Sequence, residues 1–338
     1  MSSPTVEQLR AWVAQAARAP SAHNVQPARW RLAGDRLELW EDTGRWLAAG
    51  DPTGRDARVG LGMAWEGMRL AAGQDGWRVG EPTLDEAPYP PKGQRRRAWV
   101  VPLRGGDADP LADFVDRRHC CRQVFGAASA DALARLDAVF AGHADIAFHA
   151  DKAQHDGFAA AHQAASVDLL RDRAIGAELY SWLRLSRRHP AVARDGLDAA
   201  CLGLTPLEAA GGRVLMQPAV AALLARLGLG GLLVDEASKT KSAAAIAVLA
   251  VPAGIDDFVA GRRWYRFWLA LAGAGFAAVP MSALVDTPRG RDALASLQPL
   301  PAGWRAINVM RIGVAPAVLP VSARLPADDL LVVDATAA

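Results

Sequence analysis

The chain has 338 residues, of which 51% are hydrophobic and 22% are charged, and its formal net charge is +2. This length and apolar content are enough for one large domain or two ordinary ones. The near balance of charge argues against a nucleic-acid-binding surface, which needs a one-sided basic field, and three cysteines argue against a disulfide framework.

No part of the sequence is typical of a secretory leader or of a membrane span. The residues Met1–Pro4 lack the basic and apolar regions of a secretory signal. The most apolar run, Leu215–Val234, is interrupted by Gln217, Pro218 and Arg226. We therefore expect a cytoplasmic protein whose partners are neither a membrane nor a nucleic acid.

Hydrophobic periodicity predicts an alternation of helices and strands in which helices dominate. The first helix is predicted over Val6–Ala16, where Thr5 and Gln8 have the spacing of a capping box. Further helices are predicted over 56–72, 133–140, 154–170, 174–187 and 262–274, strands over 30–32, 37–40, 99–103, 146–149, 243–251 and 307–314, an irregular segment over 192–213, and a last apolar run over 330–333. A few strands far apart in sequence favour an α+β sandwich.

A weak parallel links the two parts of the chain, because each contains a large apolar helix near a strand. Duplication of an ancestral unit and the ordinary monotony of α/β sequences both account for it.

A polar loop framed by two prolines follows the first helix. Between Pro20 and Pro27 stand Ser21, His23, Asn24 and Gln26. A surface turn rarely needs so many amide and hydroxyl groups held between prolines. A site that holds a flat, hydrogen-bonding ring does need them.

A second segment, residues 116–122, contains three arginines and a histidine: Arg117, Arg118, Arg122 and His119. The planar fork of donors on arginine suits a phosphate group or the pyrimidine edge of a flavin. Taken alone, the segment is more typical of a solvated basic turn.

Later segments contain further candidate site residues. The helix 264–274 is followed by a glycine-bearing turn that runs to Ser282, and residues 273–278 have the G-x-G-x-x-A spacing of a dinucleotide site. That interpretation fails because these glycines close a helix instead of joining a strand to a helix. Nearer the C-terminus, the segments 310–313 and 322–326 contain Arg311 and Arg324.

In this order the segments resemble the FMN-dependent nitroreductase family. The proline-framed loop resembles the one that lies against the flavin from across the subunit interface. Arg118, His119, Cys120 and Arg122 fall on the four positions of the Arg-(His/Arg)-(Ser/Thr)-x-(Lys/Arg) signature, with Cys120 in place of the usual hydroxyl residue. The turn Pro280–Ser282 resembles the turn whose backbone faces the flavin N5 edge, the segment 310–313 resembles the late Arg-(Ile/Val)-Gly strand, and the segment 322–326 resembles the motif that reaches the FMN phosphate.

The distribution of these motifs resembles a branch of the family in which two subunits are fused and one flavin site survives. The proline-framed loop occurs only in the first part of the chain, and the other motifs occur only in the second. The resemblance implies a nitroreductase-like α+β sandwich with helices around a central antiparallel or mixed sheet. It also implies two fused pseudo-symmetric halves, residues 1–112 with the flavin loop 19–27 and residues 113–338. The segment Arg194–Leu197 resembles that branch's loop covering the flavin.

The resemblance implies FMN as cofactor, NAD(P)H as electron donor, and an electron-poor small molecule (a nitroaromatic, a quinone or a dedicated metabolite) as substrate. A monomer would suffice for the flavin site, with a further dimer allowed. Arg118 and Arg122 would stabilise the reduced flavin, because the chemistry belongs to the flavin itself. His23 could donate a proton or only shape the loop. The implied cofactor-binding residues are Pro20, Ser21, Asn24, Gln26, Arg118, His119, Cys120, Arg122, Pro280, Met281, Ser282, Arg311 and Arg324. The alternative is a flavin-sequestering protein with a closed lid and no turnover.

Other chemistries lack their residues in this sequence. There is no G-x-S-x-G elbow and no P-loop. The histidines His149, His155 and His162 have no cysteine or carboxylate cluster that would complete a metal site. The adjacent Cys120 and Cys121 are more typical of two small apolar residues than of a redox pair.

Overall fold

The computed structural model describes residues 3–85 and 94–334, so the two halves expected from the sequence include positions (1, 2, 86–93 and 335–338) outside the described residues. Its α-helices are α1 Val6–Ala16, α2 Arg55–Gln74, α3 Ala130–Ala141, α4 His155–Arg171, α5 Arg173–Ser181, α6 Pro206–Leu215, α7 Pro218–Arg226, α8 Glu236–Lys241, α9 Asp257–Gly273, α10 Ala283–Asp286, α11 Pro288–Leu297 and α12 Ala327–Leu330. Its strands are β1 Ala28–Ala33, β2 Arg36–Asp42, β3 Trp77–Arg78, β4 Thr83–Leu84, β5 Gln94–Val100, β6 Leu103–Arg104, β7 Ala147–His149, β8 Leu183–Arg184, β9 Leu197–Asp198, β10 Ala245–Pro252, β11 Ala277–Pro280, β12 Trp304–Gly313 and β13 Leu331–Val333. The chain is thus a mixed α+β protein. None of the helices in the described ranges is long and apolar enough to cross a bilayer.

The described residues form two larger sheets instead of one central sheet. The first has five strands in the order β13-β1-β2-β5-β4, and the second has four in the order β11-β12-β10-β7. All neighbours in both sheets are antiparallel except β1 and β13, which are parallel with Trp30 opposite Leu331. The C-terminal segment therefore returns to the first sheet and lies beside the N-terminal elements.

The two sheets are built from the same order of elements. In the first sheet β1, β2 and β5 are neighbours, and the long helix α2 lies between β2 and β5 in sequence. In the second sheet β7, β10 and β12 are neighbours, and the long helix α9 lies between β10 and β12. A further helix precedes each set, α1 before β1 and α3 before β7. The main difference is the segment 150–244, which contains α4 to α8 and separates β7 from β10.

Helices α2 and α9 pack against each other in the centre of the core through a reciprocal glycine contact. A β-carbon at Gly62 would lie 2.0 Å from the carbonyl oxygen of Phe258, and one at Gly261 would lie 2.0 Å from that of Val59. Each glycine thus meets the residue three positions before the other glycine. The two helices therefore exchange contacts with the same residue spacing.

The long amphipathic helices lie where the sequence predicts them. Observed helix bounds differ from the predicted ones where tertiary contacts or capping residues determine them. The capping box of Thr5 and Gln8 at α1 is confirmed. Helix α5 ends at Ser181, before the predicted end at 187, because the next residues leave the helix to pair with β9. Helix α6 begins inside the segment predicted to be irregular, at a capping box between Thr205 and Glu208, and ends two residues beyond it.

Candidate functional site

Three segments that are far apart in sequence line one cavity. They are the end of α1 with the proline-framed loop, the Arg-rich segment and the C-terminal segment, joined by one residue of the covering loop, which we define as Arg194–Leu197. The lining residues are Arg18, Pro20, Ser21, Asn24, Val115, Arg118, His119, Cys120, Arg122, Leu197, Val321, Ser322 and Arg324. The structure therefore brings together eight of the expected cofactor-binding residues: Pro20, Ser21, Asn24, Arg118, His119, Cys120, Arg122 and Arg324.

The cavity is strongly cationic. Four arginines line it, and no carboxylate does. Arg18 pairs with Asp116, whose side chain is 81% exposed and lies outside the lining. Burial, together with the nearby charges of Arg118 and Arg18, lowers the pKa of Arg324 to about 10. Arg18 thus has Asp116 as a counter-ion, while the lining residues add no carboxylate beside Arg118, Arg122 and Arg324.

Arg324 connects the C-terminal segment to the end of α1. Its Nε donates to the carbonyl oxygen of Ala17 at 2.6 Å, and its Nη1 donates to Oδ1 of Asn24 at 3.0 Å. Arg324 and Arg118 both donate to the carbonyl oxygen of Arg18, at 3.2 and 3.0 Å. The two guanidinium groups therefore converge on one point at the cavity wall.

Arg118 retains donor capacity. Its Nε and Nη1 atoms are buried and make no hydrogen bond of good geometry, although the buried hydroxyl of Tyr265 lies close by. Its guanidinium carbon lies 4.8 Å from the ring centroid of Trp268 on α9. A buried cation with unused donors is costly, and an acceptor supplied by a ligand would satisfy it.

Two histidines near the cavity are neutral at physiological pH. Burial, followed by the charge of Arg122, lowers the pKa of His23 to about 4. Burial and the charges of Arg118 and Arg18 lower the pKa of His119. In both cases burial is the larger cause of the lowered pKa, and the neighbouring arginine charges add to it.

The proline-framed loop has a strained backbone. His23, Asn24 and Gln26 have φ angles of 49°, 57° and 51°, and they are the non-glycine residues with positive φ in the described ranges. Such conformations cost about 1–3 kcal/mol each and cluster at functional sites. The loop is held in part by Ser21, whose Oγ accepts from the backbone N–H of Gln26 at 2.9 Å.

The loop amides bind the segments that close over the cavity. Nδ2 of Asn24 donates to the carbonyl oxygens of Gly196 at 3.1 Å and Ala323 at 3.0 Å. Nε2 of Gln26 donates to the carbonyl oxygen of Arg194 at 2.9 Å, and its Oε1 accepts from the backbone N–H of Leu325 at 2.8 Å. Gln26 is thus occupied at both ends by protein and is not among the lining residues.

The turn Pro280–Ser282 is also outside the lining. It follows β11, which reaches the Arg-rich segment through Ala278, whose carbonyl oxygen accepts from the N–H of Cys121 at 3.4 Å. Met281 is buried in a hydrophobic cluster that also contains Phe158 and Leu284, and Ser282 precedes α10.

Arg311 lies elsewhere too. Its guanidinium forms an ion pair with Glu236 and lies 3.4 Å from Oγ1 of Thr240. His162 is 3.8 Å from the same carboxylate. Arg311 therefore belongs to a buried polar cluster between β12 and α8 instead of the cavity.

Sequence reasoning missed three lining residues: Arg18, Val115 and Val321. Leu197 and Ser322 lie in the segments 194–197 and 322–326, which the sequence singles out without naming these two residues as cofactor-binding. Arg18 directly precedes the proline-framed loop, but an arginine after a helix is also typical of dipole compensation. No group of three or more His, Cys, Asp or Glu side chains in residues 3–85 and 94–334 is arranged as metal ligands are.

No protein-family model matches the chain. It is 32% identical over 124 residues to a Mycobacterium tuberculosis protein named "Putative NAD(P)H nitroreductase Rv3131", covering 36% of this chain and 35% of that protein. It is 30% identical over 192 residues to "Putative NAD(P)H nitroreductase acg" of the same species, covering 53% and 54%. The chain thus spans about a third to a half of the length of these curated relatives.

Among solved structures, a nitroreductase-like family protein from Bacillus cereus aligns with 66% of this chain and 94% of its own, at 13% identity and a TM-score of 0.32. A TM-score at this level does not establish a shared fold. The chain is therefore similar, over part of its length, to proteins named as NAD(P)H nitroreductases.

Proposed function

We propose that the chain is a nitroreductase-like oxidoreductase that binds FMN in the cationic cavity and transfers electrons from NAD(P)H to an electron-poor small molecule. The observation that carries the proposal is the set of four arginines gathered from three distant segments, without a carboxylate in the lining. Such a site is built for an anion. The names of the curated relatives support the same class of reaction.

The residues present fit FMN. Arg324 and Arg18 would bind the phosphate, because guanidinium groups suit phosphate oxygens. Arg118 or Arg122 would lie toward N1 and O2 of the ring, where preorganised positive charge stabilises the reduced form. FMN, when bound, accepts a hydride from the nicotinamide and passes electrons to the acceptor. The unused Nε and Nη1 donors of Arg118 are those that such a ligand would satisfy.

The proposal includes two fused halves with one flavin site. The shared order of strands and helices around the two sheets supports it, as does the reciprocal contact of Gly62 and Gly261. The proline-framed loop comes from the first half and the Arg-rich segment from the second, so both sides of the cavity belong to one chain. A monomer would then suffice for the flavin site.

The alternative is a protein that sequesters flavin without turnover. The cavity has a volume of about 40 Å³, room for a few water molecules, and the covering loop is hydrogen-bonded across it. Binding of a flavin therefore requires the covering loop and the C-terminal segment to move apart. A loop that recloses over bound flavin would also exclude substrates.

Spectroscopy of the purified protein separates these functions. The protein is titrated with FMN, freed of excess cofactor, and mixed with NADPH under anaerobic conditions, followed by a nitroaromatic or a quinone. Bleaching of the visible absorbance of the oxidised flavin, and its recovery on addition of the acceptor, are expected for the oxidoreductase. Bound flavin that NADPH does not bleach would select the sequestering function, and failure to bind FMN would overturn both.

A further inference from the structure

The covering loop is fixed by one buried carboxylate that is bound to two arginines. Oδ1 of Asp195 accepts from Nε and Nη2 of Arg184 at 3.1 and 2.8 Å. Oδ2 of Asp195 accepts from Nη1 of Arg45 at 3.0 Å. Each carboxylate oxygen therefore has its own guanidinium partner, and all three hydrogen bonds are charge-assisted.

The receptor is held in place by other parts of the protein. Arg184 is buried, and its Nη1 donates to the carbonyl oxygen of Ser181 at 2.7 Å. Nη1 of Arg45 also donates to the carbonyl oxygen of Val25 in the proline-framed loop at 2.8 Å. The guanidinium carbons of Arg45 and Arg184 lie 5.7 and 5.4 Å from the ring centroid of Trp182. We call Arg45, Arg184 and Trp182 the oxyanion clamp.

The carboxylate in the clamp is coupled to the cavity wall. Asp195 is followed by Gly196, whose backbone N–H donates to the carbonyl oxygen of Asn24 at 3.3 Å, and then by Leu197, which lines the cavity. Gly196 has φ +75°, and a β-carbon there would lie 2.4 Å from the carbonyl oxygen of Trp182. The closed loop therefore fits tightly, and a carboxylate leaving the clamp must carry the cavity wall with it.

We propose that the oxyanion clamp is a binding site for a carboxylate or phosphate group of a reactant, and that Asp195 occupies it only while the covering loop is closed. The proposal rests on the function proposed above, because the reactant is the electron acceptor or the nicotinamide donor of that reaction. A free oxyanion replaces the hydrogen bonds of Asp195 nearly one for one, so it competes with the loop. A neutral group leaves the buried Arg184 without its carboxylate partner, whereas Arg45 keeps Asp42 at 3.6 Å, so a neutral group competes poorly.

The clamp favours reactants that carry a carboxylate or a phosphate group. Electron-poor acceptors with a carboxylate, or the phosphate groups of the nicotinamide donor, would open the loop, whereas neutral acceptors would not. The aromatic face of Trp182 beside the clamp favours an oxyanion attached to a flat ring.

Binding to the FMN-free full-length protein tests the clamp without reference to flavin. Wild type, Asp195→Asn and the control Asp198→Asn are titrated by calorimetry with 4-nitrobenzoate, 4-nitrobenzamide and inorganic phosphate. Asp198 directly follows the covering loop, and it accepts from the N–H of Cys201 at 2.9 Å instead of pairing with an arginine of the clamp. We expect Asp195→Asn to bind 4-nitrobenzoate or phosphate at least about 10-fold more tightly than wild type and Asp198→Asn, since an internal competitor has been removed. The tighter of the two ligands identifies the group that the clamp takes.

Equal affinity in wild type and Asp195→Asn, or binding of the amide as tightly as the acid, would overturn the proposal. If Asp195→Asn does not fold, the test moves to wild-type protein loaded with FMN. There, 4-nitrobenzoate should accelerate flavin release several-fold more than 4-nitrobenzamide does, and equal rates would overturn the clamp. If the protein does not bind FMN at all, the proposed function fails, while the calorimetric result still decides the clamp.

Discussion

Replacement of Arg324 by alanine should weaken FMN binding strongly and change folding stability little. Arg324 lies in the cationic cavity and is held by carbonyl oxygens and by Asn24. A charge-assisted hydrogen bond to a phosphate contributes roughly 1.5–3 kcal/mol. Loss of that contact corresponds to a Kd for FMN that is roughly 10- to 150-fold higher.

The effect on stability is a difference between two opposing contributions. Burial and neighbouring arginines lower the pKa of Arg324 to about 10, so its charge is disfavoured in the folded protein by roughly 3 kcal/mol. Its removal also deletes hydrogen bonds to Asn24 and to the carbonyl oxygens of Ala17, Arg18 and Ala323, each contributing about 1 kcal/mol. These contributions nearly offset, and the free energy of unfolding should change by less than about 2 kcal/mol.

The assay pairs fluorescence titration with FMN and urea unfolding for wild type, Arg324→Ala and the control Arg10→Ala. Arg10 pairs with Asp328 at 2.8 Å on an exposed surface, where an ion pair contributes little. The control should bind FMN like wild type. A Kd for Arg324→Ala within about threefold of the control would refute the assignment of this arginine, and a large loss of stability with normal binding would show that its role is structural.

Further predictions concern pH, packing and assembly. Burial lowers the pKa of His162 to about 4, so the folded protein keeps it neutral, and stability should fall as pH drops from about 6.5 to 4 while the unfolded chain gains a proton. Urea unfolding of wild type and His162→Gln at pH 7 and pH 5 measures this effect. The variant should lose less unfolding free energy at pH 5, by up to about 1.4 kcal/mol per pH unit. An unchanged pH profile would contradict the lowered pKa of His162. Gly62→Ala and Gly261→Ala should each destabilise the protein by at least about 3 kcal/mol in thermal unfolding, because the new β-carbon meets backbone atoms. The control Gly211→Ala, which has open space around it, should stabilise the protein by up to about 1 kcal/mol. A neutral effect of both Gly62→Ala and Gly261→Ala would contradict the packing of α2 against α9. Monomers isolated by sedimentation at low concentration should retain FMN, and loss of flavin from the monomer boundary would mean that the site lies between subunits.

The parts of the fold that follow from local pattern could be predicted from the sequence. Helices α1, α2 and α3 have long apolar stripes, and their bounds differ from the predicted ones by only a few residues. The strand pairing of β13 with β1 could not be predicted, because it joins residues that are about 300 positions apart in the sequence.

Part of the cavity could also be predicted from local sequence pattern. The proline-framed loop and the Arg-rich segment stand out by their density of polar groups. Leu197 and Ser322 reach the cavity only because a parallel pairing of two short strands, β8 with β9, and the return of the C-terminal segment place them there. The oxyanion clamp has no local signature, because Arg45 and Arg184 are 139 positions apart in sequence and are brought together by Asp195 and Trp182.

The most direct test of the central claim is the stoichiometry of FMN per chain. Apo-protein of known concentration is titrated with FMN, and the bound flavin is released by denaturation and quantified against protein. One FMN per chain is expected, because the proline-framed loop and the Arg-rich segment each occur once and line a single cavity in the described residues. Two FMN per chain, or none at saturating FMN, would contradict it.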